Sequence, residues 1–135
     1  MVRPTAKQLT TLYTTYYELS PDQSVNTPMI EDILKRVWAT KYHPLGGVMY
    51  INRDLKSKAA AQCIEIAQNR PFPAHNVSMS LLSTFSFLSL NSYAVKQTAK
   101  TITNLCLLLR RAQNGEDVAT EVKAWFKENM VAHSN

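Results

Sequence analysis

An apolar pattern through residues 77–111 constrains the fold of this chain more than any other feature. Apolar side chains recur there at alternating spacings of four and three residues, which is the heptad seam of a helix packed against its neighbours. We predict one long central helix of about 50 Å from the helical rise per residue, with a break near Asn91 and Ser92 as the alternative. Eight of the nine seam positions are apolar, and the seam consists of Leu81, Phe85, Leu88, Ser92, Val95, Ala99, Ile102, Cys106 and Leu109.

The glycine content narrows the fold class further. Three glycines occur in 135 residues, so turns that need a positive φ and glycine-rich phosphate loops are almost excluded. A chain of this length buries enough surface to fold without disulfides or metals. The expected fold is therefore all-α: a single domain, residues 1–135, in which a helical bundle of four to five helices surrounds the long one.

Capping signals predict where the shorter helices lie. The first is expected from Thr5 to Leu19, the second from Pro28 to Tyr42, and the third from Asn52 or Asp54 to Gln68. A last helix follows Glu116-Asp117, whose charges suit a helix N-terminus. The run Val48–Ile51 resembles a strand, but no second comparable run exists to pair with it. We therefore expect an extended connector or an assembly edge there.

No sequence motif indicates catalysis or metal binding. Adjacent carboxylates such as Glu31-Asp32 point about 100° apart on a helix and do not converge on one substrate. Cys63 and Cys106 lack zinc-ligand spacing and are expected to be buried free thiols. The sequence therefore predicts no enzyme, no cofactor and no metal. A histidine enzyme would require His43 and His75 to meet in a pocket.

Two segments of the sequence bear on where the protein is expected to be located: the residues after Met1 and the uncharged residues 71–95. No apolar signal segment follows Met1, so export through a signal peptide is not expected. Residues 71–95 lack charge, but five serines dilute their apolar character, which favours a buried helix over a membrane span. We expect an intracellular (cytoplasmic) protein, or one within a virus-like particle. Neither a membrane nor a small-molecule substrate is expected as a partner.

Positive charge is concentrated in two stretches. The net charge is +5, and residues 66–115 contain no Asp or Glu. The first predicted basic surface surrounds the turn between the second and third helices, where Trp38 or Tyr42 could stack on exposed bases. The second lies on the outer face of the long helix, where no acid interrupts the cations. The predicted nucleic-acid-binding residues are Lys35, Arg36, Lys41, Arg53, Lys56 and Lys58 in the first surface, and Lys96, Lys100, Arg110 and Arg111 in the second.

Together these patterns predict a non-catalytic, self-assembling structural protein of coat or nucleocapsid type. It would bind the phosphate backbone of RNA or DNA without strong sequence specificity. The alternative is a helical adaptor that binds a protein partner, in which the charge only aids solubility or steering. Self-association is expected through apolar residues near both termini: Leu9, Leu12, Tyr13 and Tyr16 near one, and Trp125, Phe126 and Met130 near the other.

Overall fold

The structure, a computed structural model, describes residues 1–42 and 44–132, with the backbone alone for Tyr42. These residues form six helices and four short strands, which confirms a mostly helical fold but exceeds the predicted four to five helices. The helices are α1 (Ala6–Tyr16), α2 (Thr27–Val37), α3 (Leu55–Asn69), α4 (Asn76–Leu90), α5 (Ala99–Gln113) and α6 (Ala119–Asn129). The strands are β1 (Thr40–Tyr42), β2 (Val48–Tyr50), β3 (Tyr93–Val95) and β4 (Met130–Ala132).

The predicted long helix is wrong, because its sequence forms two helices. α4 ends at Leu90, and Ser92 adopts a φ of 66°, which a continuing α-helix does not accommodate. The side-chain amide of Asn91 stabilises the break by donating to the carbonyl oxygens of Phe87 and Val2. β3 follows before α5 begins. The seam is therefore interrupted where the sequence allowed a break.

The central element is instead α3, which packs against α2, α4, α5 and α6. Its buried face consists largely of small side chains, since Ala59, Ala60 and Ala67 are all buried. Cys63 and Ile66 belong to the same face and have no exposure to solvent. Small side chains let neighbouring helices approach closely, so the most alanine-rich helix of the chain can contact four others at once.

Local hydrogen bonds explain where three of the helices begin. Thr5 caps α1 in a capping box with Gln8, and Asp54 caps α3, so both predicted starts are confirmed. α2 begins one residue before the predicted Pro28, because the side chain of Asn26 supplies its cap. It ends at Val37 rather than Tyr42, since the chain then enters β1.

β1 and β2 form an antiparallel hairpin between α2 and α3. Thr40 pairs with Tyr50, and Lys41 pairs with Met49. The expectation that the strand-like run Val48–Ile51 has no partner is therefore wrong. β3 and β4 form a second antiparallel pair, which joins the end of α6 to the connection between α4 and α5.

Successive helices run in opposite directions. The contact of Val2 with the break after α4 joins the start of α1 to the end of α4. The backbone N–H of Asn26 donates to the carbonyl of Pro71 at 2.8 Å, so the start of α2 meets the end of α3. The indole N–H of Trp125 donates to the carbonyl of Thr101 at 2.9 Å, so the end of α6 meets the start of α5. We call the end that carries the β1–β2 hairpin the hairpin end and the other one the opposite end.

Candidate nucleic-acid interface

Most Lys and Arg side chains lie at the hairpin end, because the alternating helix directions bring four separate chain segments there. These segments, residues 1–7, 35–56, 96–100 and 127–130, contain two acids, Asp54 and Glu128. Two further acids contact these cations from outside the segments, Glu31 beside Lys35 and Glu65 beside Arg36, and the cations still outnumber the acids. The exposed or half-buried cations of the hairpin end are Arg3, Lys7, Lys35, Arg36, Lys41, Arg53, Lys56, Lys96, Lys100 and Lys127.

A cleft between α1 and α2 brings together cations that are far apart in the sequence. Arg3, Lys7 and Lys35 line a space of about 400 Å³, together with one acid, Glu31. Sequence reasoning identified Lys35 but missed Arg3 and Lys7, since the antiparallel packing of the two helices was not foreseen. The excess of cations over acids favours an anionic ligand in this α1–α2 cleft.

A second basic site lies at the contact of α3 and α6. We call it the α3–α6 lysine cluster, and it consists of Lys56, Lys123 and Lys127. Lys56 and Lys127 line a cavity of about 340 Å³ with Asp54. The pKa of Asp54 is lowered, mainly by the hydrogen bond from the backbone N–H of Ser57 and further by the charges of Lys123 and Lys56. Lys123 and Lys127 escaped sequence reasoning because acids alternate with them along α6, as on an ordinary solvated helix.

Lys58 is not part of the exposed surface, so its assignment to the first basic surface is wrong. Its side chain is fully buried, with Nζ 4.0 Å from the ring centre of Tyr50 and 5.1 Å from that of Trp38. Nζ also donates to the carbonyl oxygen of Asn52. Burial lowers the pKa of Lys58, and the charge of Asp54 partly offsets this effect. We call this arrangement of Lys58, Trp38, Tyr50 and Asn52 the Lys58 clasp, because it holds β2 on α3.

One of the two aromatic residues that were expected to stack on bases is not available for that role. Trp38 is buried and packs edge-on against Phe87, so the prediction that it stacks on an exposed base is wrong. The side chain of Tyr42 and the whole of His43 lie outside the described residues. Stacking by Tyr42, and the meeting of His43 with His75 that a histidine enzyme requires, therefore stay predictions.

Two of the predicted arginines, Arg36 and Arg111, form ion pairs with acids of the same chain. Arg36 Nη2 lies 2.6 Å from Glu65 Oε2. Arg111 lies 3.0 Å from a carboxylate oxygen of Glu121 and 3.4 Å from one of Glu116. The expectation that no acid accompanies the second basic surface is therefore wrong for Arg111, since α6 supplies Glu121 and the connection before α6 supplies Glu116.

The second predicted surface is also divided between the two ends of the molecule. Lys96 and Lys100 lie at the hairpin end, where α5 begins, whereas Arg110 and Arg111 lie near the C-terminal end of α5. The helical rise separates Lys100 from Arg111 by about 16 Å. A ligand at the hairpin end can contact the two lysines without reaching the two arginines.

Most of the apolar residues expected to mediate self-association belong to the core. Leu9, Tyr13, Trp125 and Phe126 are buried within the chain, so the prediction that they contact a second copy is wrong. They instead hold α1 and α6 against the rest of the fold. The remaining three, Leu12, Met130 and Tyr16, retain half-buried or exposed surface.

The described thiols are shifted away from their reactive form, and the described carboxylates do not join a metal-binding cluster. Within residues 1–42 and 44–132, no group of three or more His, Cys, Asp or Glu side chains could hold a metal ion. Cys63 is buried, and burial raises the pKa of its thiol to about 12. Burial also raises the pKa of the half-buried Cys106. Both thiols are therefore poor nucleophiles near neutral pH.

Comparisons with known proteins do not place the chain in a family. No protein-family model matches the sequence, and no curated protein matches it. Among the described residues, no helix is both long enough and apolar enough to cross a lipid bilayer. Function is therefore inferred from the distribution of charge and from the packing.

Proposed function

We propose that this protein is a non-catalytic, self-assembling structural protein whose hairpin end binds the phosphate backbone of a nucleic acid without strong sequence specificity. The collection of cations at that end carries the proposal, since few acids accompany them. Each phosphate that Lys or Arg neutralises releases condensed counterions, which favours binding whatever the base sequence. A coat or nucleocapsid role would use this property.

The arrangement of the cations suits a polymer better than a single small anion. The α1–α2 cleft, the α3–α6 lysine cluster and the pair Lys96 and Lys100 at the start of α5 are formed by different parts of the chain. One phosphate ion would occupy one of these sites. A nucleic-acid backbone repeats its charge every few ångströms and can contact several of them at once.

Binding to labelled oligonucleotides, followed by fluorescence anisotropy from low to physiological salt, tests the proposal. We expect the affinity of the parent protein to fall steeply with salt. The double variant Lys56→Gln/Lys127→Gln should bind about tenfold more weakly at low salt and show a salt slope smaller by about two. The matched control, Arg110→Gln/Arg111→Gln, should change affinity much less, because its charges lie at the opposite end.

Two results would contradict the proposal. If the nuclease-treated parent protein does not bind RNA or DNA even at low salt, the hairpin end is not a phosphate-binding surface. If the control variant loses as much affinity as the hairpin-end variant, the predicted contacts of Arg110 and Arg111 are correct and the hairpin end has no special role. Comparison of single- and double-stranded RNA and DNA in the same series identifies the preferred polymer.

A second candidate function is the helical adaptor, which is favoured by an apolar groove between α1 and α4. This α1–α4 groove has a volume of about 310 Å³. An adaptor would bind an apolar segment of another protein there, and that affinity would change little with salt. The residues that line the groove are Pro4, Gln8, Leu9, Leu12, Ser83, Ser86, Phe87, Ser89 and Leu90.

A further inference from the structure

The tip of the β1–β2 hairpin is an exposed apolar feature without a role so far. Residues 44–48, which we call the finger, are all exposed and contain no charged side chain. Leu45 is 91% exposed and Val48 is 63% exposed. Gly46 and Gly47 hold the turn with φ values of 103° and 79°, which glycine adopts most readily. A contiguous apolar surface of this kind marks a contact site more often than a random exposed leucine does.

The base of the finger is firmly attached to the helices. The Lys58 clasp holds β2, and the backbone N–H of Ile51 donates to the carbonyl of Ala39 at 2.9 Å. The side-chain amide of Asn52 donates to the carbonyl of Val37 at 2.9 Å. The base of the finger is therefore fixed to the helices, which lowers the entropy that a contact through the finger would cost.

The α1–α4 groove has the complementary properties. Its lining contains no Lys, Arg, Asp or Glu, and its volume of about 310 Å³ is large enough for the aliphatic side chains of a loop tip. Leu90 is 50% exposed at its edge. The hydroxyl of Ser83 donates to the carbonyl of Met79 at 2.6 Å, so this serine in the wall of the groove has its proton satisfied within α4. An apolar side chain that enters the groove would therefore not break the hydrogen bond of Ser83.

We propose that the finger of one copy of this chain inserts into the α1–α4 groove of a second copy. The inference rests on the self-association in the proposed function and names the two surfaces that carry it. Neither surface contains a charge, so the contact buries apolar area without the desolvation penalty of an ion. Within one chain the finger does not fill the groove, because Leu45 is 91% exposed while the groove is open.

The positive charge around the finger and the α1–α4 groove determines how their association should depend on salt. The groove reaches Pro4 at the start of α1 and Leu90 at the end of α4, so it opens near the hairpin end, as the finger does. Insertion therefore brings two positive ends together, and screening by salt should strengthen it. Phosphate binding responds in the opposite sense and weakens with salt. A bound nucleic acid would also neutralise the cations and so promote the contact.

Sedimentation velocity of the purified protein across concentration and salt tests the inference. We expect the parent to associate, and more strongly at higher salt. Leu45→Asp in the finger, and separately Leu90→Asp or Ser86→Trp in the groove, should each weaken association at least tenfold, since a buried aliphatic contact is lost or blocked. Leu107→Asp, at an exposed leucine of α5 that lines neither surface, is the matched control and should associate as the parent does.

Mixing the variants provides the decisive measurement. The finger variant Leu45→Asp keeps an intact groove, and the groove variant Ser86→Trp keeps an intact finger. When mixed in equal amounts, these two monomeric variants should form a one-to-one dimer through the single intact contact. Circular dichroism of each variant verifies that it is folded.

The possible failures are distinguishable. A mixture that stays monomeric, a finger or groove variant that associates like the parent, or a loss confined to the finger variant would overturn this inference while leaving self-association intact. A parent protein that stays monomeric at every concentration and salt would overturn both this inference and the self-assembly part of the proposed function. The anisotropy experiment with oligonucleotides is unaffected by either result.

Discussion

The two ends of the molecule hold their cations in different ways. At the opposite end, Arg111 lies between Glu116 and Glu121, so acids of the same chain compensate much of its charge. At the hairpin end, no carboxylate of the described residues lies within ion-pairing distance of Lys96 or Lys100. The availability of a cation therefore depends on which acids the helix directions bring beside it, as Glu121 shows, as well as on nearby residues of the sequence, as Glu116 shows.

α5 shows this within a single helix. It starts at the hairpin end beside Lys100 and ends beside Arg110 and Arg111, in a stretch of sequence without any acid. Because α6 runs antiparallel to it, Glu121 in the first turn of α6 meets Arg111, and Glu116 in the connection adds a second acid. Within residues 1–42 and 44–132, no carboxylate forms an ion pair with Lys96 or Lys100. One uniform basic stretch therefore supplies two kinds of surface.

The largest effect should come from the one cation of the hairpin end that is structural. Lys58→Ala removes two cation–π contacts and the hydrogen bond to Asn52, and we expect the free energy of unfolding to fall by about 2 kcal/mol. Urea denaturation followed by circular dichroism measures the loss. Lys56→Ala, two residues away and half-buried, is the control and should change stability by less than about 0.5 kcal/mol. If the free energy of unfolding falls equally in the two variants, the contacts of the Lys58 clasp add no stability beyond that of an ordinary half-buried lysine.

A smaller effect is expected at Asp54, the acid within the α3–α6 lysine cluster. Asp54→Ala should lower stability by about 1 kcal/mol through the lost cap of α3, whereas Asp54→Asn keeps a capping side chain. The pKa of Asp54 is lower in the folded state, so its charged form adds stability above the unfolded pKa, and this contribution disappears as pH falls through the folded pKa.

Thermal melts at neutral and acidic pH measure both parts of this prediction. The parent should lose the Asp54 contribution below the ordinary carboxyl value of 3.8, and Asp54→Asn should lack that part of the acid dependence. The opposite sign, with the parent gaining stability relative to Asp54→Asn in acid, would contradict the assigned cause.

The smallest effect compares one acid from each end. Glu128→Gln removes a negative charge at the hairpin end and should raise oligonucleotide affinity about twofold at low salt. Glu121→Gln frees Arg111 at the opposite end and should leave affinity unchanged, with a stability change below about 0.5 kcal/mol for an exposed ion pair. If Glu121→Gln raises affinity more than Glu128→Gln does, the two ends have been assigned the wrong way round.

Features encoded by neighbouring residues were predictable from the sequence. The caps at Thr5 and Asp54 use a side chain and a backbone group three residues apart, so a short window contains the whole interaction. The break near Ser92 appeared as an alternative for the same reason. Its actual stabilisation includes a hydrogen bond from Asn91 to Val2, which lies 89 residues away and is invisible to any local pattern.

Features that depend on packing were not predictable. Lys58 was expected at the surface, yet it is buried, as is the polar Gln62 on the same helix, because α3 is surrounded on several sides. β1 was missed because Thr-Lys-Tyr is too short and too polar to indicate a strand before its partner is known. Of the candidate site, the exposed cations of the two predicted stretches were identified, whereas Arg3, Lys7, Lys123 and Lys127 join them only through helix packing.

The contact between Val2 and Asn91 has a consequence for local opening. The backbone N–H of Val2 donates to Asn91 Oδ1 at 2.6 Å, and its carbonyl accepts from Asn91 Nδ2 at 3.0 Å. Fraying of the first residues therefore breaks the same hydrogen bonds that hold the turn after α4, so the two segments should open together as one cooperative unit. Amide hydrogen exchange at the start of α1 would then report on the connection that carries Lys96.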